Sequence, residues 1–288
     1  MYGSANISMY FLLLFVLIHT SLTHNVISNR KYCGYQHSDE YERPTSQVSI
    51  DEFPWMVQLL HNNESVCSGS LINKLYVLSA AQCLTDRKSK VTAIRLGDYN
   101  ITSSEDCVTN DQGERECNDD IIEIKIEEMF LHPLYNERTR HNDIALIRLS
   151  TPVQFSDYIR PICLPEQDLL ISGNVHNLST SGWGILQYFG EEISQIKKRV
   201  PTNLARLDDC KKQYEPKNFT ITENQICGEE FESISCIGDG GAPLMHEVKY
   251  QWEQVGIMSF GLGCGGTYFT IYTKVFGYLD WIASTIRP

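Results

Sequence analysis

Ten cysteines, a crowd of carboxylates between Glu105 and Glu128, and the glycine-rich stretch SCIGDGGAPL (Ser235 to Leu244) are where this 288-residue chain places groups able to do chemistry. An even cysteine count with no CxxC pair favours a disulfide framework in an oxidising compartment over zinc, whose sites use closely spaced ligand pairs. Between Glu105 and Glu128 ten acids stand against only Arg115 and Lys125, a local net charge of −8. Like charges so crowded need relief, and three readings stand: a solvated loop, a calcium site, or a patch for a basic partner. Asn63, Asn100, Asn177 and Asn218 each begin an N-x-S/T tripeptide, a glycosylation acceptor in an exported chain. His141 and Asp143 share a strand face but stand about 7 Å apart along it, which makes His141 a rim histidine rather than a partner for the carboxylate.

The whole chain carries a net charge of −12 and a pI near 5.1, the opposite of what a phosphate-binding face needs. Nucleic acid is therefore not an expected partner. An uncharged apolar run from Met9 to Ile18 is too short to span a bilayer and ends in small polar residues. It reads as a signal peptide cut near Thr23, with a buried N-terminal strand as the alternative, since no Lys or Arg precedes the run. The expected layout is a signal peptide over 1–23, an N-terminal segment over 24–43, and one large unit over 44–288. About 265 mature residues suit one large domain or two fused barrels.

The elements that must position these groups are mostly strands. WMVQLL from Trp55, SGSLI from Ser68, YVLSAA from Tyr76, IIEIKI from Ile121 and DIALIRL from Asp143 are short apolar runs separated by turn signals. Only the last dozen residues change period: Leu279, Ile282, Ala283 and Ile286 follow the spacing of an amphipathic helix. An all-β body closed by one C-terminal helix is expected.

Seven stretches together carry a family resemblance: EFPWMVQL (Glu52 to Leu59), CSGSLINKLYVLSAAQC (Cys67 to Cys83), NDIALIRL (Asn142 to Leu149), RPICLP (Arg160 to Pro165), SGWG (Ser181 to Gly184), GDGGAPL (Gly238 to Leu244) and GIMSFG (Gly256 to Gly261). In order and spacing, over residues 52 to 288, the chain resembles the chymotrypsin-type serine proteases. That resemblance implies two six-stranded antiparallel β-barrels. The acidic loop between Cys107 and Cys117, and Cys33-Gly34 ahead of the domain, are similar to the arthropod clip-protease branch. No clip module is expected within residues 24 to 51, which contain one cysteine where that module uses six.

The chemistry of that family needs a serine hydroxyl to attack, an imidazole to carry its proton, and a buried carboxylate to hold the imidazole. Matched residue by residue, only the carboxylate remains, as Asp143. Gln82 stands at the histidine position, and an amide takes up no proton at neutral pH. Gly240 stands at the serine position. The resemblance also places the oxyanion loop at Gly238, Asp239 and Gly240, where main-chain N–H groups would suffice. It places the substrate pocket at Ile234, Ser259, Gly261 and Thr270, with Ile234 in place of an aspartate floor and Thr270 in place of a wall glycine, so the pocket is expected to be apolar and narrowed. Ser235 and Ser259 are read as structural. Counting back from Pro54 puts the activation site at Glu42-Arg43-Pro44-Thr45, which lacks the Ile-Val-Gly-Gly start whose ammonium would pair with Asp239.

The resemblance further implies the bridges Cys67–Cys83, Cys107–Cys117, Cys210–Cys227 and Cys236–Cys264, with Cys33–Cys163 as a light-chain tether. The expected protein is secreted and extracellular, needs no cofactor beyond the calcium alternative in the acidic loop, and acts by binding. Its partners would be a protease, zymogen or substrate of an extracellular cascade, in arthropod immunity and melanisation or in a venom. The alternatives are residual hydrolysis through an unorthodox site and a purely structural or ligand-binding protein.

Overall fold

Short strands with one buried face leave unpaired main-chain groups at every sheet edge, and closing the sheet on itself removes those edges. The computed structural model, which describes residues 29–37, 48–85, 90–109, 113–168, 178–187, 190–230, 239–262 and 268–288, has that architecture twice. β1 (Met56–His61), β2 (Glu64–Leu71), β3 (Tyr76–Ser79), β8 (Ala145–Leu149), β7 (Ile122–Leu131) and β4 (Ala93–Leu96) close the first barrel in that spatial order. β12 (Lys198–Leu204), β13 (Gln225–Glu230), β16 (Thr270–Lys274), β15 (Gln251–Phe260), β14 (Pro243–Val248) and β9 (Leu178–Gly182) close the second. Every neighbouring pair in both barrels is antiparallel. Two small hairpins, β5 (Cys107–Thr109) with β6 (Arg115–Cys117) and β10 (Ile185–Gln187) with β11 (Gly190–Ile193), sit outside the barrels.

Burial follows the residue pattern strand by strand. β1, MVQLLH, is buried along its length except at His61, and the one polar residue inside it, Gln58, donates from Nε2 to Asp98 Oδ2 at 3.0 Å. β7 alternates instead, with Ile122, Ile124 and Ile126 turned inward and Glu123, Lys125 and Glu127 outward. Where the barrels meet, Phe53, Trp55 and Trp252 pack ring against ring, and the Arg199 guanidinium lies 5.9 Å from the Phe53 ring and 5.5 Å from Trp252. A buried bond from Ser70 Oγ to Gln254 Oε1 (2.5 Å) links β2 to β15 across the same junction.

The expectation of a single helix is corrected. α3 (Leu279–Thr285) closes the chain, but Ile286 lies beyond it on extended backbone. α1 (Gln82–Thr85) is one turn long, and α2 (Leu207–Tyr214) is a full eight-residue helix. α2 buries Cys210 and Tyr214 and carries Asp208 and Asp209 at its start with Lys211 and Lys212 at its end, the arrangement the helix dipole favours. A helix that short gives too few repeats for its period to stand out from strand-like runs.

Disulfides join Cys33 to Cys163, Cys67 to Cys83, Cys107 to Cys117 and Cys210 to Cys227. Cys236 and Cys264 lie outside the described residues. The first bridge ties residues 29–37 to the body, where Gly34 N donates to Pro161 O, Trp252 N donates to Gly34 O, and Arg30 pairs with Glu253 at 2.6 Å. Gly34 has φ +71, and a Cβ there would meet Trp252 O at 2.5 Å, so only glycine lets the segment lie this close.

Candidate functional site: the cleft between the barrels

β3 ends at Ser79 and the chain turns at once into α1, which puts Gln82 at the mouth of the first barrel facing the second. Asp143 approaches through Asn142, whose φ of +55 is a left-handed turn that asparagine tolerates, and is fully buried just ahead of β8. Its carboxylate is held on several sides. Oδ1 accepts the Gln82 main-chain N–H at 2.8 Å, Oδ2 accepts the Ser259 hydroxyl at 2.5 Å, and the Ala81 N–H also points at it. Burial nevertheless wins: the carboxyl is pushed up to about 6, with these donors and Arg140 opposing the shift. The bond from Ser259 is a contribution that sequence reasoning missed, because it joins residues 116 positions apart and no local pattern marks it.

The Gln82 side chain turns away from Asp143. Its Nε2 donates to the Ser259 carbonyl, so the line that an imidazole would form with Asp143 is not formed. Gly240 stands opposite, and a Cβ built on it would lie 3.4 Å from Gln82 Nε2 and 3.4 Å from Cys67 Sγ, ordinary contact distances. The position that lacks a side chain has room for a Cβ. Its neighbour has none: at Gly241, φ is +84 and a Cβ would meet Ser79 Oγ at 2.2 Å and Ser68 O at 2.3 Å. Main-chain bonds from Ser68 N to Gly240 O and from Gly241 N to Met258 O, both 2.8 Å, pin the loop to both barrels.

Asp239 is buried and finds donors in the SGWG turn. Its Oδ1 accepts from Trp183 N and Gly184 N, each at 3.0 Å, and Oδ2 from Gly184 N at 3.1 Å. Main-chain N–H groups thus solvate this carboxylate in the folded chain. A Cβ at Gly182 would strike Asp239 Oδ1 at 2.0 Å, so the glycine makes space for it.

Of the other sequence-derived positions, Ser259 ends the buried part of β15, Gly261 is exposed just beyond it, and half-buried Thr270 begins β16 opposite Gly228. Ile234, Gly238, Ser235 and the segment 42–45 lie outside the described residues, as does Asn177. His141 is turned aside, with Nε2 2.7 Å from Thr220 O. Asn63 and Asn218 are exposed on left-handed backbone, whereas Asn100 is half-buried and its Oδ1 accepts from Thr102 N and Oγ1.

Four acids of the segment form ion pairs among the described residues, three of them with arginines from elsewhere in the chain. Glu123 pairs with Arg95, Glu127 with Arg148, Glu128 with Arg287 and Glu105 with Arg115. Asp106 is buried and accepts from Tyr99 N at 2.6 Å, Asn100 N at 3.1 Å and Ser103 Oγ at 2.5 Å. The group of possible metal ligands among the described residues is Glu105, Cys107 and Cys117, but both sulfurs are spent in a disulfide, which leaves Glu105 as its only hard ligand for calcium.

Comparison with known proteins agrees with this geometry. The family model "Trypsin" matches residues 43–282. The CLIP domain-containing serine protease B9 of Anopheles gambiae is 37% identical over 251 residues, covering 83% of this chain and 62% of that protein. The phenoloxidase-activating enzyme of Bombyx mori is 38% identical over 262 residues, 84% of this chain and 59% of that one. The chain therefore spans about three fifths of the length of these two relatives. The crystal structure of the Drosophila Grass clip serine protease of the Toll pathway superposes with a TM-score of 0.78 at 26% identity, covering 91% of this chain and 76% of the other. The chain belongs to the trypsin family, and within it is related to the clip-domain serine proteases of insects.

Proposed function

We propose that this trypsin-family protein is a secreted, non-catalytic homologue that acts by binding within an extracellular protease cascade. The observation that carries the reading is at residue 82: an amide stands where a base is needed and is engaged with the Ser259 carbonyl, while Gly240 opposite offers no nucleophile. In serine proteases, removing either the nucleophile or the base costs about a million-fold in rate, roughly 8 kcal/mol of barrier. His141 does not take the base's place, since its Nε2 faces Thr220 O and the donors to Asp143 are Gln82 N, Ala81 N and Ser259 Oγ. The scaffold around the loss is kept: Asp143, Gly241 and Asp239 all retain their donors or their space. Such a molecule can present a protease-shaped surface without cutting.

The names of the relatives, a phenoloxidase-activating enzyme and a Toll-pathway protease, support an insect immune cascade as the setting. Four bridges among the described residues fit an oxidising, extracellular compartment, with 1–23 as signal peptide, 24–43 as an anchored segment and 44–288 as the protease-like domain. Ile234 and Thr270 are proposed to make the pocket apolar and narrow. A fluorophosphonate probe, which labels an activated serine covalently, is expected to leave the protein unmodified by mass spectrometry. A stoichiometric adduct would sink the proposal.

A further inference from the structure

We propose that Asn218 carries an N-linked glycan and that this glycan stands over one rim of the cleft, so that a partner protein must approach from the other sides. The proposal rests on the reading that the chain is secreted, since such glycans are added to exported chains. Asn218, Phe219 and Thr220 form an N-x-T tripeptide. Asn218 follows the 3-10 turn Glu215–Lys217 and has φ +61, the left-handed conformation that ends helices and that asparagine tolerates. That backbone role would account for an asparagine, but it asks nothing of residue 220. Asn218 and Thr220 are both exposed, with Phe219 half-buried between them. The Asn218 main-chain N–H donates to Glu215 O, while its side chain makes no hydrogen bond with another described residue. In the transfer, the amide Nδ2 gives up a proton and bonds to C1 of the oligosaccharide, as the bond from that carbon to its lipid-linked pyrophosphate breaks and the pyrophosphate leaves with the electron pair. The folded chain has to leave room for the product, and an exposed, unbonded amide does so.

Asn63 is also exposed on left-handed backbone, and what sets Asn218 apart is where it stands. Phe219 stacks on Phe260 with 5.0 Å between ring centroids, and Phe260 follows Ser259, whose hydroxyl donates to Asp143. Thr220 O lies 2.7 Å from Nε2 of His141, on the loop of the first barrel that leads into Asp143. Lys217 Nζ lies 6.0 Å from the Tyr268 ring centroid on the second barrel. Residues 217–220 therefore reach from the second barrel to the first along one side of Asp143. The Tyr214 ring, fully buried, packs edge-on against both Phe219 and Phe260 and fixes this segment from beneath. A bulky hydrophilic chain on Asn218 has no way inward past those rings and extends into solvent over the rim.

The test uses the full chain expressed in insect cells and collected from the medium. Its peptides are treated with peptide N-glycosidase A in heavy-oxygen water, which converts a glycosylated asparagine to a labelled aspartate that mass spectrometry reads. Residue 218 is expected to be labelled. A secreted chain with Asn218 unmodified overturns the proposal, whereas a chain held inside the cell sinks the secreted reading and the proposal with it. Hydroxyl-radical footprinting then compares the wild type with Thr220→Ala, which removes the acceptor signal but leaves Asn218 in its turn, and with Asn218→Gln. In either variant that keeps the wild-type melting profile, oxidation of Tyr268 and His141 is expected to rise. Exposed Tyr250, at the far end of β15 and about 30 Å away along the strand, is expected to be unchanged. Equal oxidation of Tyr268 and His141 with and without the glycan would overturn its placement over the rim.

Discussion

Asp143 in the cleft and Lys197 at the barrel junction are both buried charges, and their surroundings differ sharply. Asp143 has three nearby donors and Arg140 but no imidazole. Lys197, 5% exposed, lies amid Glu52, Asp51, Asp98 and Asp106, all of which favour its charge. Both nonetheless shift toward their neutral forms, Asp143 up to about 6 and Lys197 down to about 8, and burial is the largest cause in each case. The lesson is that neither a set of hydrogen bonds nor a ring of counter-charges fully replaces water here. Each charge is a stability cost, and both costs are in force at neutral pH, which lies between the two shifted values.

The largest effect should come from neither charge but from the loop that faces the cleft. Gly241→Ala forces a side chain onto left-handed backbone and into Ser79 and Ser68, and is expected to cost about 4 kcal/mol or prevent folding, read by urea denaturation. A mild effect would show that the loop relaxes freely and that the cleft scaffold is not held as tightly as its contacts imply.

Asp143→Asn sharpens the comparison directly. A raised carboxyl pKa means that the folded state holds its proton more firmly than the unfolded chain, whose value is about 3.9. The contribution is fully present below about pH 4 and lost as pH rises to about 6, after which the deficit is constant. The asparagine variant should therefore be more stable at pH 7, by on the order of 2 kcal/mol, and its stability should vary less between pH 4 and 6. A loss at pH 7 would mean that the Ser259 and main-chain bonds outweigh the burial cost.

Lys197→Met tests the other side. A lowered lysine pKa carries a cost that is present below about pH 8 and relieved as pH rises toward the unfolded value of about 10.4. The methionine variant should gain on the order of 1–2 kcal/mol at pH 7, and the gain should shrink above pH 8. Destabilisation instead would show that the four acids depend on the ammonium more than it depends on them. The smallest effect is expected at the rim, where Arg287→Ala breaks an exposed pair with Glu128 and should change stability by less than about 1 kcal/mol in thermal melts.

Much of this was legible before any coordinates. The strand runs from Trp55, Ser68, Tyr76, Ile121 and Asp143 each fall on barrel strands, because burial of apolar side chains sets both the pattern and the fold. The identities of Gln82 and Gly240 were equally plain. The direction of the Gln82 side chain was not, since it is decided by a carbonyl 177 positions away. Nor was the pairing of Glu123, Glu127 and Glu128 with Arg95, Arg148 and Arg287, which come from other strands and from the C-terminus. Helix α2 was hidden by its brevity, and its anchor, the Cys210–Cys227 bridge, is a tertiary feature.

On the proposed reading, Asp143 does not belong to a working proton-transfer line. That reading is tested most directly by incubating the purified chain with a mixed peptide library from pH 6 to 9 and counting cleaved bonds by mass spectrometry. The expected result is no cleavage above buffer alone. Turnover that disappears in the Asp143→Asn variant would contradict the account, because it would show that the cleft still does chemistry through that carboxylate.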